Sequence, residues 1–302
     1  MPPSASSVKQ RISRTWQDHR LGPATPCAIA FRLIASGCLD DVTACHRATC
    51  AGDATALHQT RVALTRLRSA IAFFSPMVKD TAWTQLRSEW KWLNGHLGAT
   101  RDLDVAIENS RGTPQQRVFK AARVESQRRL QRALRSNRYR QWFAAMSGWV
   151  ANGAWSITPD RREVRLRAAP ASAFHAQQLA RWHEKLTERS RGLQGMGKNK
   201  RHRLRLASKR LRYAIEFSEE ALAGDEFSRW LVTAKHLRKG QQILGELNDA
   251  EMRGQLAAEL ASLQPPASAR VQKQSKPVDR KRKGRLLRRA AMVYRKIADE
   301  NR

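Results

Sequence analysis

The chain has 302 residues, 41% of them hydrophobic, enough apolar material for one large core or two domain-sized ones. Its 57 Lys and Arg against 26 Asp and Glu leave a formal charge of +31. So charged a compact protein repels itself and calls for a polyanionic partner: nucleic acid, an anionic membrane surface or inorganic polyphosphate. A membrane-spanning segment is excluded, because the longest charge-free stretch, 141–159, holds Gln, Ser, Asn, Thr and two Gly and predicts a buried helix with its exit turn.

In chain order, the N-terminal segment 1–24 is polar and basic (MPPSASSVKQRISR) and has no apolar signal core, which argues against secretion. From residue 25 onward almost everything predicts helix: Ala, Leu, Arg, Gln and Glu dominate, and β-branched residues form no alternating runs. Breaks fall at Pro23, Pro26, Gly52, Pro76, Gly98, Gly112 to Pro114, Gly153 to Pro159, Pro170, Gly192 to Gly197, Gly224 and Pro265–Pro266. Segments of roughly 15 to 30 residues remain between them, the length of bundle helices.

Cys27, Cys38 and Cys45 stack on one side of the first helix, with Cys50 just beyond. Without a CxxC pair they predict small core residues, not a metal or redox cluster, in a reducing cytoplasm. The next helix contains HQTRVALTRLRSAIAFF (58–74). At about 100° per residue, Ala63, Leu64, Leu67, Ala70, Ile71 and Phe74 gather opposite His58, while Arg61, Thr65, Arg66 and Arg68 gather beside it. Trp83 and Trp90 lie seven apart, as do Trp142 and Trp149, a spacing that predicts buried packing more readily than a base-stacking platform. Asp102 and Asp104 in RDLDV do not share a helix face, and are expected at a helix start near the positive dipole end, where they also orient arginines. GLQGMGK (192–198) has the outline of a phosphate-binding loop, but Asn199 follows its lysine and EKLTERSR precedes it, so an inter-helix loop is expected.

The decisive feature is an internal repeat. HRLRLASKRLRYAIEFS (202–218) aligns without gaps on 58–74 and is identical at nine of seventeen positions. Trp230 then matches Trp83, and LGELND (244–249) matches LGATRD (97–102). Two copies of one helical unit follow, with a boundary near residue 160: a first half over 25–160, a second over 161–265, and a basic tail, 266–302, with a final helix in AAMVYRKIA. The tail's 13 Lys and Arg from Arg270 to Arg302 face three acids, and suit either an electrostatic arm for polyanions or a solubilising terminus.

In both copies one helix side is apolar and the other is His plus cations. Arg203 and Lys209 join the second copy, and no Asp or Glu occurs between Glu188 and Glu216. Solvated helix faces mix signs, because like charges one turn apart cost a few tenths of a kcal/mol. A face that keeps this arrangement twice points to a polyanion. Arginine presents a planar fork of donors to phosphate and never deprotonates. Histidine among arginines is expected to be neutral when the site is empty and protonated when an anion arrives. The expected polyphosphate-binding residues are His58, Arg61, Arg66 and Arg68 with His202, Arg205, Lys209, Arg210 and Arg212.

ALHQTRVALTRLRSAIAFF, WLNGHLGATRDLDV, SNRYRQWFAAMSGWVANGAW, HRLRLASKRLRYAIEF and LGELND, running from about residue 25 to 260, resemble the CHAD family, the conserved-histidine α-helical domain. The resemblance implies an all-α fold of two four-helix bundles related by pseudo-two-fold symmetry, with a basic cavity or groove between them. It further implies binding of inorganic polyphosphate and association with polyphosphate granules. Thr65 departs from the family, which has a further arginine there, and implies a weaker grip by the first half. No Glu-x-Glu-x-Lys signature of the triphosphate-tunnel (CYTH) domain occurs, so the binding module alone is expected.

No HExxH, Gly-x-Ser-x-Gly or third carboxylate accompanies the basic faces, so a non-catalytic protein without metal or cofactor is expected. Nucleic-acid binding is the alternative, lowered by the lack of a helix-turn-helix, zinc-finger or single-strand-binding motif. A metal-dependent polyphosphate phosphohydrolase is the third, lacking metal ligands near the basic stripe.

Overall fold

The structure is a computed structural model that describes residues 20–262 and 280–300, with the side chains of 248–262 and of residue 280 outside the description. The described residues are helical, in the order α1 (Cys27–Ala51), α2 (Ala54–Phe73), α3 (Ser75–Val78), α4 (Thr81–Asn109), α5 (Gln115–Arg135), α6 (Asn137–Asn152), α7 (Arg161–Ala168), α8 (Ala171–Ser190), α9 (Lys198–Phe217), α10 (Gly224–Ser262) and α11 (Arg280–Asp299). Short 3-10 turns at Ala154–Ser156 and Leu193–Gly195 precede α7 and α9.

Most predicted breaks are real. Gly52 ends α1 in the left-handed region at φ 97°, and Asp53 then caps α2 by accepting from the Ala56 amide at 2.7 Å. Gly98 is a correction, because α4 runs through it without interruption. A lone helical glycine costs about 1 kcal/mol relative to alanine. Leu93, Leu97 and Leu103 are buried around it, each contributing about 2 kcal/mol, so packing carries the helix across. The same continuity places Asp102 and Asp104 inside α4 and not at a helix start.

The chain divides into two compact units. Described residues of the first fall within Met1–Leu97, Gln131–Ala180 and Tyr213–Arg229, and those of the second within Gly98–Leu130, Arg181–Arg212 and Trp230–Arg302. Each unit takes segments from both sides of residue 160.

In the first unit α1 and α2 pack along each other. The start of α1 is tied to that of α8 by the Cys27 amide donating to Ala169 O (2.9 Å) and the Ala171 amide to Thr25 O (2.8 Å). Its core is aromatic: Phe31 lies 5.6 Å from Phe74 and 5.1 Å from Trp155, and Phe74 stacks on Phe174 at 5.2 Å. The tryptophan pairs are indeed packing residues, with Trp83 against Trp149 (5.5 Å) and Trp90 against Trp142 (5.9 Å). Asp80 holds the first pair by accepting from Trp149 Nε1 (2.9 Å) and the Trp83 amide, and it also accepts from the Trp155 amide. Cys27, Cys38 and Cys50 are buried and Cys45 is half-buried, all as free thiols.

In the second unit Leu103, Ala106 and Phe119 pack together, and Thr100 and Ser126 join hydroxyls at 2.8 Å. The C-terminal helix α11 belongs to this unit. It buries Leu286, Leu287, Ala290, Val293, Tyr294 and Ile297, and packs against the 193–195 turn.

Candidate functional site

The rotation of α2 about its axis is fixed by burial. Leu57, Ala63, Leu64, Leu67, Ala70, Ile71 and Phe73 are buried, and each large one contributes about 2 kcal/mol. That outweighs the few tenths that like charges one turn apart cost. The opposite side is therefore held toward solvent: His58 and Arg68 are exposed, and Arg61, Thr65 and Arg66 are half-buried.

These side chains are not equivalent. Arg66 donates through Nη1 to Glu216 Oε2 at 2.6 Å, with its guanidinium 5.6 Å from the Tyr213 ring centre and 5.3 Å from that of Phe217. It also approaches Cys38, whose thiol burial pushes up to about 12 against the pull of the Arg66 charge. The expectation of an acid-free face on α2 is thus corrected at Arg66, because Glu216 at the end of α9 supplies the missing carboxylate. Thr65, at the position of Lys209, donates its hydroxyl to Arg61 O at 2.7 Å, a local bond that adds no charge.

In the second unit, Leu204, Ser208 and Leu211 of α9 are buried, His202 and Arg203 are exposed, and Arg205, Lys209, Arg210 and Arg212 are half-buried. Arg212 Nε donates to Gln241 Oε1 of α10 at 3.3 Å. Arg205 lies beside Gly245, where a Cβ would stand 3.9 Å from its Nε and Nη2, and its Nε is buried without a hydrogen-bond acceptor among the described residues. Behind this face Ser208 donates to Leu204 O (2.9 Å), so the Tyr294 hydroxyl 2.5 Å away is the donor of their bond. Burial pushes Tyr294 up to about 12, opposed by Ser208 and by the Arg205 charge.

Of the nine expected residues, His58, Arg61, Arg66 and Arg68 share α2 in the first unit, and His202, Arg205, Lys209, Arg210 and Arg212 share α9 in the second. Sequence reasoning missed Glu216, Gln241 and Tyr294. Only the LGELND match hinted at the α10 segment, and nothing 150 residues from Arg66 marks Glu216 as its partner.

The remaining motifs resolve as packing and turns. Asp104 Oδ1 accepts from Arg123 Nε at 2.9 Å, so it does orient an arginine; the side chain of Asp249 lies outside the described residues. GLQGMGK joins two helices: Gly192 adopts φ 69° after α8, and α9 starts at Lys198. No three His, Cys, Asp or Glu side chains among the described residues gather as a metal-holding group. No described helix is long and apolar enough to cross a membrane.

An all-helical protein with a duplicated His-x-x-Arg helix is the class defined by these features. The CHAD domain family model matches residues 33–258, and the chain belongs to that family. The crystal structure of the CHAD domain from the plant Ricinus communis is similar with a TM-score of 0.74 and 26% identity, over 93% of both chains. PptA from Streptomyces chartreusis shares the fold with a TM-score of 0.61 and 16% identity, over 91% of this chain and 100% of that one. No curated protein matches.

Proposed function

We propose that this protein binds inorganic polyphosphate without transforming it, through the basic sides of α2 and α9, and that it associates with polyphosphate granules in the cytoplasm. The observation that carries this is the duplicated face: in both copies a histidine heads a row of arginines held opposite a buried apolar side. Membership of the CHAD family supports the same ligand. Arg68 is exposed, and the Arg205 Nε–H, without an acceptor among the described residues, is a donor that a phosphate oxygen would satisfy. Binding by several such contacts releases counterions and weakens steeply with salt.

Affinity for polyphosphates of graded length, with DNA and RNA as competitors, tests this. Long polyphosphate is expected to displace either nucleic acid at far lower concentration than the reverse. The opposite order would assign the basic faces to nucleic acid. Release of inorganic phosphate in Mg²⁺ or Mn²⁺ would replace a binding protein by a phosphohydrolase.

A further inference from the structure

The C-terminal helix α11 lies beyond the residues matched by the family, yet it is built into the second unit. Tyr294 fits against Gly240 of α10, where a Cβ would meet its ring at 3.0 and 3.2 Å, and its hydroxyl reaches Ser208. Near its end, His183 Nε2 donates to Ile297 O at 2.7 Å, and His236 Nδ1 stands 2.5 Å from Glu300 Oε1. A terminus that only adds solubility needs no such anchoring.

Anchoring also fixes which side of α11 faces outward. At about 100° per residue, Arg285, Arg288 and Arg295 lie within about 50° of the pole opposite the buried side chains, with Arg289 and Lys296 flanking them, all exposed. From Arg280 to Ala298 the helix contains no acid. Like charges therefore sit at i,i+3 (Arg285, Arg288) and i,i+4 (Arg285, Arg289), which a solvated face avoids.

We propose that this ridge is a second polyphosphate-binding surface, engaged by long chains. It rests on the functional reading above and adds a site to it. Arginine forks suit phosphate oxygens, and one row of cations along a helix about 30 Å long suits a thin linear polyanion. The ridge carries no aromatic ring for stacking bases, and the apolar face that an interfacial membrane helix would insert is already buried.

The test uses the full chain carrying Arg285→Gln, Arg288→Gln and Arg295→Gln together, with tripolyphosphate and a long polyphosphate as probes. Tripolyphosphate affinity is expected to stay within about twofold of wild type, while long-chain affinity falls about tenfold and the salt dependence loses about two units of slope. The corresponding Arg→Lys triple variant is expected to keep long-chain binding, and the single Arg288→Glu variant to repeat the ordering if the triple fails to fold. Wild-type binding with an unaltered triple variant overturns the ridge and leaves the functional reading standing. Failure of wild type to bind either probe overturns both. A larger loss for single-stranded RNA than for polyphosphate overturns the ligand assignment of the ridge.

Discussion

Arg66 and Glu216 stand 2.6 Å apart, joining the first basic helix to the end of the second. The repeat partner of Glu216 is Ala72, so the carboxylate belongs to one copy and neutralises a cation of the other. Both side chains are partly exposed, at 32% and 24%, so the pair contributes only about 1 kcal/mol. Its greater effect is on the ligand, because an incoming anion must compete with Glu216. Glu216→Gln is expected to lower the melting midpoint by about 2 °C and to raise polyphosphate affinity several-fold with a steeper salt dependence. Lower stability with unchanged affinity would assign Arg66 to packing alone.

Arg68 is exposed, and Arg212 meets the neutral Gln241 amide. The two arginines occupy matching positions of the repeat. Arg68→Glu with Arg212→Glu is expected to abolish retention on long polyphosphate at physiological salt while helicity by circular dichroism stays as in wild type. Retention equal to wild type would remove these faces from the contact surface.

His58 and His202 are both exposed at the heads of their rows. Anion binding favours the imidazolium form, so affinity is expected to strengthen as pH falls. His58→Gln with His202→Gln is expected to flatten that profile. A flat wild-type profile would take the histidines out of the contact set.

The buried side of α2 was legible from residues 58–74 because burial at a few kcal/mol per helix decides orientation, and a 3.6-residue period records it directly. The aromatic role of Trp83, Trp90, Trp142 and Trp149 was legible for the same reason. Glu216 opposite Arg66 was not, since an ion pair across 150 residues leaves no local pattern. Gly98 misled because glycine's local preference is weaker than the leucines packed around it. The anchoring of α11 was hidden too: Tyr294, Gly240 and Ser208 are ordinary residues until the chain brings them together.

His175 is buried among Phe73, Phe74 and Phe174. Ser218 donates to Ala214 O at 2.8 Å, so His175 Nδ1–H is the donor to Ser218 Oγ at 2.7 Å, and Nε2 has no partner among the described residues. Burial lowers its pKa to about 3. As pH falls below the ordinary histidine value, the unfolded chain takes up a proton that the native state refuses, and stability drops by up to about 1.4 kcal/mol per pH unit. Above that value the group has no effect. Thermal melts are expected to show a shallower decline between pH 6.5 and 4 in His175→Gln than in wild type. Parallel declines would show that other groups govern acid stability.

Gly153 shows why a glycine with ordinary backbone angles is still required. Its φ of −61° and ψ of 161° suit any residue. A Cβ there, however, would lie 2.6 Å from Trp149 O and from Trp155 Cδ1, and 2.8 Å from Trp149 Cδ1. Neither ring can give way, because Trp149 Nε1 is held by Asp80 at 2.9 Å and Trp155 Nε1 donates to Trp149 O at 2.8 Å. Gly148, one turn earlier in α6, is exposed and has nothing within 4 Å of its Cβ position. Gly153→Ala is expected to cost about 2 kcal/mol through overpacking, whereas Gly148→Ala gains up to about 1 kcal/mol from helix propensity. Denaturant titration of the two variants measures the difference. Equal stabilities would mean that the Trp149–Trp155–Asp80 cluster yields more readily than its hydrogen bonds imply.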